Sequence, residues 1–375
     1  MGMIARRFLA LVVVVAIMVP SASAAAENVP PAPYEGVWQG TIDNLPIRAC
    51  FSGDEHRSFG AYFYMSKLMT IPLIKDDKGA LQFSEGGQDA KAPRWNLTRA
   101  AGNSIVGVWT QGAKTLPLRL SRIAVADDNM PCASMTFHKP RLSGLRILRS
   151  RATKDGIGYT KLALDHRGHF PGISLESFQL DGNGSAVRRI NTVLAKPFGK
   201  SEDGEGWLGC VTSAFAGSAL GADFGESFEP RLISQRWLSV IHSVGGYCGG
   251  AHPDSSSISM LFDRASGAQL NPLDWFTQNA VSREDLGDEY GVYTTLKPEL
   301  VAVILRDRKP DDPECYDATK EQESWDVGVD RGSLVFSPHL PHVISACGDD
   351  YRVPFIRLQP WLTETGKKMV AKLPR

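Results

Sequence analysis

The chain has 375 residues, 41 basic and 41 acidic side chains, and an apolar content of 43%. That length supports two domains, each with a real core, and the apolar content is that of a globular chain, not a disordered one. The balanced charge, with no long run of one sign, excludes the clustered Lys and Arg of a nucleic-acid groove, so no nucleic-acid partner is expected.

The chain opens with a basic start (Arg6, Arg7), an apolar run from Phe8 to Val19, then Pro20 and small residues from Ser21 to Ala26. This is the anatomy of a secretory signal peptide spanning 1–26, with cleavage after Ala24 or Ala26. The apolar run is short for a membrane span. No cysteine follows it as a lipoprotein would need, and no later segment is apolar long enough to cross a bilayer. A periplasmic or secreted protein without a transmembrane anchor is therefore expected. The six cysteines fit that compartment, since an even count in an exported chain reads as disulfides and none has zinc-ligand spacing. Cys50 is expected to pair with Cys132. The other four allow three pairings, of which Cys210–Cys248 and Cys315–Cys347 close the shorter loops.

From Tyr34 to Ile123 the sequence breaks into short strand-like segments separated by Gly, Asp, Asn and Lys turns. They are 37–42, 45–51, 59–65, 69–74, 80–84, 95–98, 105–109 and 116–123. Short strands at regular spacing without helical periodicity predict an antiparallel β-barrel or sandwich over residues 30–145. Gly36-Val37-Trp38 and Gly107-Val108-Trp109 repeat a Gly-x-Trp element near its two ends. The boundary is expected between Lys139 and Thr160, with a second domain over 150–375.

The second half mixes periods. Strands are predicted at 174–179, 232–242 and 257–263, and a helix follows Ser185, with Ala186, Ile190, Val193 and Leu194 on one face. Leu296, Leu300, Val303 and Ile304 mark another helix, with Pro298 in its first turn. Further strands are predicted at 334–336, 342–346 and 352–358, then a terminal helix over 361–373 weakened by Gly366. Helices packed on an antiparallel sheet, without a βαβ rhythm, make the whole chain α+β.

The densest motif is Gly245-Gly246-Tyr247-Cys248-Gly249-Gly250-Ala251-His252-Pro253. It is accompanied in order by Ile190-Asn191, Leu232-Ile233-Ser234, Phe262-Asp263-x-x-x-Gly267-x-x-Leu270, Leu334-x-Phe336 and Val353-Pro354-Phe355. This series resembles the extracytoplasmic domain of RsiV-type anti-sigma factors, also found in PdaC-type proteins, over roughly 150–375. The N-terminal half more distantly resembles the barrel-like module that accompanies that domain. The resemblance implies a recognition module, since the RsiV-type domain binds lysozyme outside the membrane. The signalling segment and the deacetylase domain of those proteins have no counterpart here, so neither activity transfers.

Direct signs of chemistry are few. There is no Gly-x-Ser-x-Gly elbow, no phosphate-binding loop and no His-Glu-x-x-His. Tyr247, His252 and Asp254 are the ligand-contact candidates; Gly249 and Gly250 are read as structural, and His252 is favoured as structural too, donating to a backbone carbonyl that pins the glycine loop. The expected function is non-enzymatic recognition of lysozyme, another envelope protein or cell-wall peptidoglycan, with no cofactor. The alternative is a cell-wall hydrolase or metal-dependent enzyme in which His252, Asp254, His339 and His342 gather around an open metal site.

Overall fold

In the computed structural model the described residues are 34–375 apart from 54–57, 77–80, 88, 90, 125–129, 200–205, 219, 288–290 and 307–308. The signal-peptide segment lies outside them. Eight strands come first: β1 (Gly36–Ile42), β2 (Leu45–Gly53), β3 (Ser58–Tyr64), β4 (Ile71–Lys75), β5 (Gln82–Glu85), β6 (Arg94–Ala101), β7 (Ser104–Gln111) and β8 (Lys114–Ala124). Each pairs antiparallel with the next, and β8 returns to β1, closing a barrel. All eight segments expected from the sequence are present, and closure decides between barrel and sandwich.

Rings fill the barrel. Trp38, Phe51, Tyr62, Phe83 and Trp95 are buried in one cluster with Leu73, Ile105 and Leu118. A small barrel of eight strands has an interior that side chains can fill. One carboxylate oxygen, Glu85 Oε1, accepts from the Tyr62 hydroxyl (2.6 Å), Trp109 Nε1 (2.6 Å) and Trp95 Nε1 (3.1 Å), satisfying three polar groups of the aromatic core at once. Burial and the adjacent Glu85 push the Tyr62 phenol well above its ordinary pKa.

The chain then makes a short turn at Pro131–Ala133, helix α1 (Met135–His138) and another turn at Lys139–Leu142. These pieces join the barrel to the C-terminal part of the chain through a shared apolar cluster. Val37, Cys50, Ala61 and Phe63 from the barrel meet Cys132 and Phe137 on one side, and Phe170, Trp207, Leu208, Val211 and Phe215 on the other. Arg141 lies inside this junction, 2% exposed. It donates to the carbonyls of His169 (2.6 Å) and Leu68 (3.3 Å) and to Nδ1 of His138 (2.9 Å), and its guanidinium sits 4.1 Å from the centre of the Phe170 ring. Burial pulls the Arg141 pKa down to about 9.

His138 is fully buried. Accepting from Arg141 on Nδ1 leaves its Nε2–H to donate to the Cys132 carbonyl at 2.9 Å, which selects the neutral ring. Burial first, and then the Arg141 charge, hold its pKa well below 6.5. The unfolded chain therefore takes up a proton below pH 6.5 that the folded chain refuses. Stability should be flat in this term above that pH and fall by up to about 1.4 kcal/mol per unit below it. Urea midpoints at pH 7.5 and pH 5.5 check this: the His138→Gln protein should show a shallower decline than the native chain.

The second part is built on a seven-stranded sheet in the order β15-β14-β13-β12-β11-β10-β9. Its strands are β9 (Arg146–Lys154), β10 (Ile157–Asp165), β11 (Ile173–Leu180), β12 (Asp223–Ile233), β13 (Trp237–Tyr247), β14 (Asp254–Asp263) and β15 (Ala268–Leu270). Between β11 and β12 the chain makes α2 (Ser185–Leu194) and α3 (Gly206–Gly217). That long connection makes β11 and β12 parallel, the one departure from an antiparallel sheet. Helix α2 sets Ile190 and Leu194 into a cluster with Phe178, Phe228, Leu238 and Phe262.

The opposite face of the sheet is covered at one end by a second layer. This comprises the hairpin β16 (Val281–Asp285) and β17 (Val292–Leu296), helices α4 (Pro298–Ile304) and α5 (Pro313–Lys320), and a small sheet of β18 (Trp325–Asp330), β19 (Ser333–Pro338) and β20 (Tyr351–Pro354). Helices α6 (Phe355–Leu358) and α7 (Glu364–Val370) close the chain. Leu232, Trp237 and Leu261 of the large sheet pack there against Trp275, Leu300, Val327 and Phe336.

Several local expectations are corrected. Residues 232–242 are two strands, because Ser234 turns the chain: its Oγ accepts from the Trp237 amide and its own amide donates to the Trp237 carbonyl. Ser185 is the first residue of α2, and Gly184 stands at the cap. Residues 342–347 form a short 3-10 turn, not a strand, and the strand expected at 352–358 ends at Pro354, where α6 begins. Gly366 does not weaken α7 by accident. A Cβ there would stand 2.3 Å from the Trp275 carbonyl, so glycine lets the helix lie on that backbone.

Candidate functional site

The glycine motif forms the end of the β13–β14 hairpin. Gly246 pairs with Phe224 on one side and Asp254 on the other. It has φ +146°, and a Cβ on it would lie 2.0 Å from the Asp223 carbonyl oxygen. Gly249 and Gly250 come next with φ of +92° and +99°, and Gly249 runs along α3, where an added Cβ would meet the Ser213 carbonyl at 3.3 Å. Cys248 is bonded to Cys210 of α3, so the loop is tied to that helix. The Tyr247 hydroxyl donates to the Gly250 carbonyl at 3.0 Å and folds the loop back on itself.

His252 and Asp254 are exposed. The His252 ring stacks on that of His342, with centroids 4.9 Å apart and planes at 10°, and its Nδ1 lies 3.0 Å from the Pro253 carbonyl. The 342–347 turn carrying His342 is in turn tied to α5 by Cys315–Cys347. Two loops, each fastened by a disulfide, therefore meet through a pair of imidazoles. With Cys50–Cys132, all six cysteines pair as expected. Peptide mapping without reductant should recover these three links and no others.

The other members of the sequence constellation do not join that pair. His339 Nδ1 lies 3.1 Å from Ser324 Oγ, and the Asp254 carboxylate accepts from the Ser255 amide. Among the described residues no three His, Cys, Asp or Glu side chains come together as a metal site.

The sheet face left uncovered by the second layer forms two adjoining clefts that share Ser255, Ser256 and Ser257. The first, about 630 Å³, has a floor of Ser174, Gly225, Ser227, Ser243 and Gly245 with Glu176, Glu226 and Glu229 around it. The second, about 530 Å³, runs under β18 and β19 and is walled by Arg231, Asp326, His339, Asp349 and Asp350. Pairing explains the floor: Gly225, Ser227, Ser243, Gly245, Ser255 and Ser257 occupy matched register positions on three neighbouring strands. Small side chains there leave backbone and hydroxyls open to an incoming surface.

The polar groups of the walls are held in place. The Arg231 side chain, 7% exposed, donates to Asp350 at 2.8 Å and to Ser259 Oγ at 3.1 Å. Asp326 accepts from the Ser259 amide at 2.6 Å, and burial raises its pKa. His242 Nε2 lies 2.9 Å from Glu226, its ring stacked on Phe228 with centroids 4.1 Å apart. Asp326 is thus occupied in latching β18 to β14. The Glu226 carboxylate turns with His242 to the other face of the sheet; the remaining five carboxylates of the two clefts outnumber one arginine, so the groove is acidic.

The sequence did not point to these residues. Ser174, Glu176, Glu229, Arg231 and Asp326 come from three strands far apart in the chain, β11, β12 and β18, and share no local motif. The run Ser255-Ser256-Ser257 beside the glycine loop was the one available signal.

No described helix is long and apolar enough to cross a membrane. No protein-family profile matches the chain, and no curated protein does. Among solved structures, the chain is similar to a DUF3298 family protein from Pseudomonas aeruginosa at 12% identity and a TM-score of 0.34, covering 59% of this chain and 95% of that one. It is also similar to a DUF3298 family member from Bacteroides fragilis at 12% identity and a TM-score of 0.38, covering 61% and 96%.

Proposed function

We propose that the protein is an exported, non-enzymatic recognition module whose acidic groove receives a basic protein surface. Lysozyme is the first candidate, ahead of another envelope protein or cell-wall glycan. The observation that carries this reading is the uncovered floor of glycine and serine, bordered by carboxylates and reached by the disulfide-held glycine loop. Complementary charge steers such a partner and fixes its orientation. The motif series that resembles RsiV-type and PdaC-type proteins runs through the strands that build the groove. The leader at 1–26 and three disulfides support export. We place the units at 30–145 and 150–375, joined through the apolar junction around Arg141.

Tyr247, His252 and Asp254 are then contact residues at one end of the groove. The His252→Ala protein tests this. The ring is exposed, so the unfolding free energy should move by no more than about 0.5 kcal/mol. Affinity for the partner should fall about tenfold, the scale of one lost contact of roughly 1.4 kcal/mol. A destabilised variant with unchanged affinity would place His252 in the scaffold instead.

A further inference from the structure

Strand β9 stands at the edge of the seven-stranded sheet. It pairs with β10 over all nine of its residues in an unbroken register. Seven of the nine side chains are exposed, and none is buried. Ile147 and Leu148, 40% and 54% exposed, are neighbours in the strand and so lie on opposite faces of the sheet. Edge strands are ordinarily short, bulged, charged or covered, because an open row of backbone donors and acceptors invites another strand; β9 is long, unbulged and charged.

The sequence Arg146-Ile147-Leu148-Arg149-Ser150-Arg151-Ala152-Thr153-Lys154 carries four cations in nine positions. Asp165 and Asp181 answer Arg146 and Arg151, while Arg149 is held by the neutral Gln179. Pairing of β9 with a second copy, centred on Ser150, would set Arg149 against Arg151 and Arg146 against Lys154. Like charges directly opposite destabilise a ladder, so the edge disfavours its own twin.

We propose that β9 is a docking edge for an extended segment of a partner protein that carries carboxylates. The backbone ladder holds the segment, and Arg149 and Lys154 select its charge. An added strand would cover one apolar side chain on each face. This surface is separate from the groove and does not depend on how the groove is used.

The test uses the full mature chain and two capped nine-residue peptides, one alternating Glu and Val, the other Lys and Val. The Glu–Val peptide should slow amide hydrogen exchange across 146–154 by about tenfold. The Arg149→Glu/Lys154→Glu protein should lose that protection while melting normally. Absent protection, or equal protection by the Lys–Val peptide, would overturn the proposal. So would equal protection by a single-stranded oligonucleotide, which would reduce the edge to an anion contact. Sedimentation showing a dimer lost in the Leu148→Pro protein would overturn it in favour of self-pairing.

Discussion

Replacing Gly246 by valine is expected to cost about 3–5 kcal/mol and to leave little folded protein. Two effects combine. The residue holds φ +146°, a region that a β-branched side chain avoids, at a cost of roughly 1–3 kcal/mol. The new Cβ would also stand 2.0 Å from the Asp223 carbonyl oxygen and 2.7 Å from the Phe224 Cα, both backbone atoms of the paired strand. Neither can move aside without opening the β12–β13 ladder, so overpacking adds a term of similar size. Gly250→Ala is the contrast, since an added Cβ there meets nothing within 4 Å and only the φ of +99° is at stake. Urea denaturation of the two variants should separate them by at least about 2 kcal/mol.

The double variant Cys50→Ala/Cys132→Ala should lose about 4.5 kcal/mol, the most of any single disulfide removal here. The bond closes a segment of 82 residues, against 38 and 32 for the other two, and restriction of the unfolded chain grows with loop length. Both cysteines are fully buried in the cluster shared by the barrel and the second part. The loss should therefore register as weaker cohesion of the junction. Limited proteolysis should cut the variant near Lys139–Leu142, a stretch that the native chain keeps packed around Arg141. Differential scanning calorimetry against the Cys315→Ala/Cys347→Ala protein gives the comparison, with the Cys50/Cys132 variant melting lower.

How far the sequence could be read depended on the range of the signal. Barrel strands were legible because each alternates locally and ends in a turn of Gly, Asp or Lys. Disulfides were legible because an even cysteine count without zinc-ligand spacing, together with loop length, constrains pairing. Failures came where a tertiary contact overrides local pattern. Val353-Pro354-Phe355-Ile356 looks extended, yet it turns into α6, with Phe355 and Leu358 buried in the core. Helix α3 was missed because Gly-Trp-Leu-Gly-Cys-Val is apolar on nearly all sides, and it is buried against the barrel junction. The β9–β10 hairpin was passed over because its outer strand is too basic to read as a core element. The groove was invisible for a different reason: its floor is a set of register matches across β11 to β14, and register is not written in any one segment.

If the uncovered sheet face binds a basic protein partner, a bulky side chain on its floor must block that partner. Isothermal titration of lysozyme against the chain and against its Ser257→Trp variant makes the comparison. Ser257 is exposed, lies on the floor opposite Ser243 and is shared by both clefts, so tryptophan there should obstruct the groove without disturbing the core. Saturable binding to the native chain, weakened by salt, is expected, with at least about tenfold weaker binding to a variant that melts at the same temperature. Binding that is absent from the native chain, or equal in both proteins, would refute recognition through the groove.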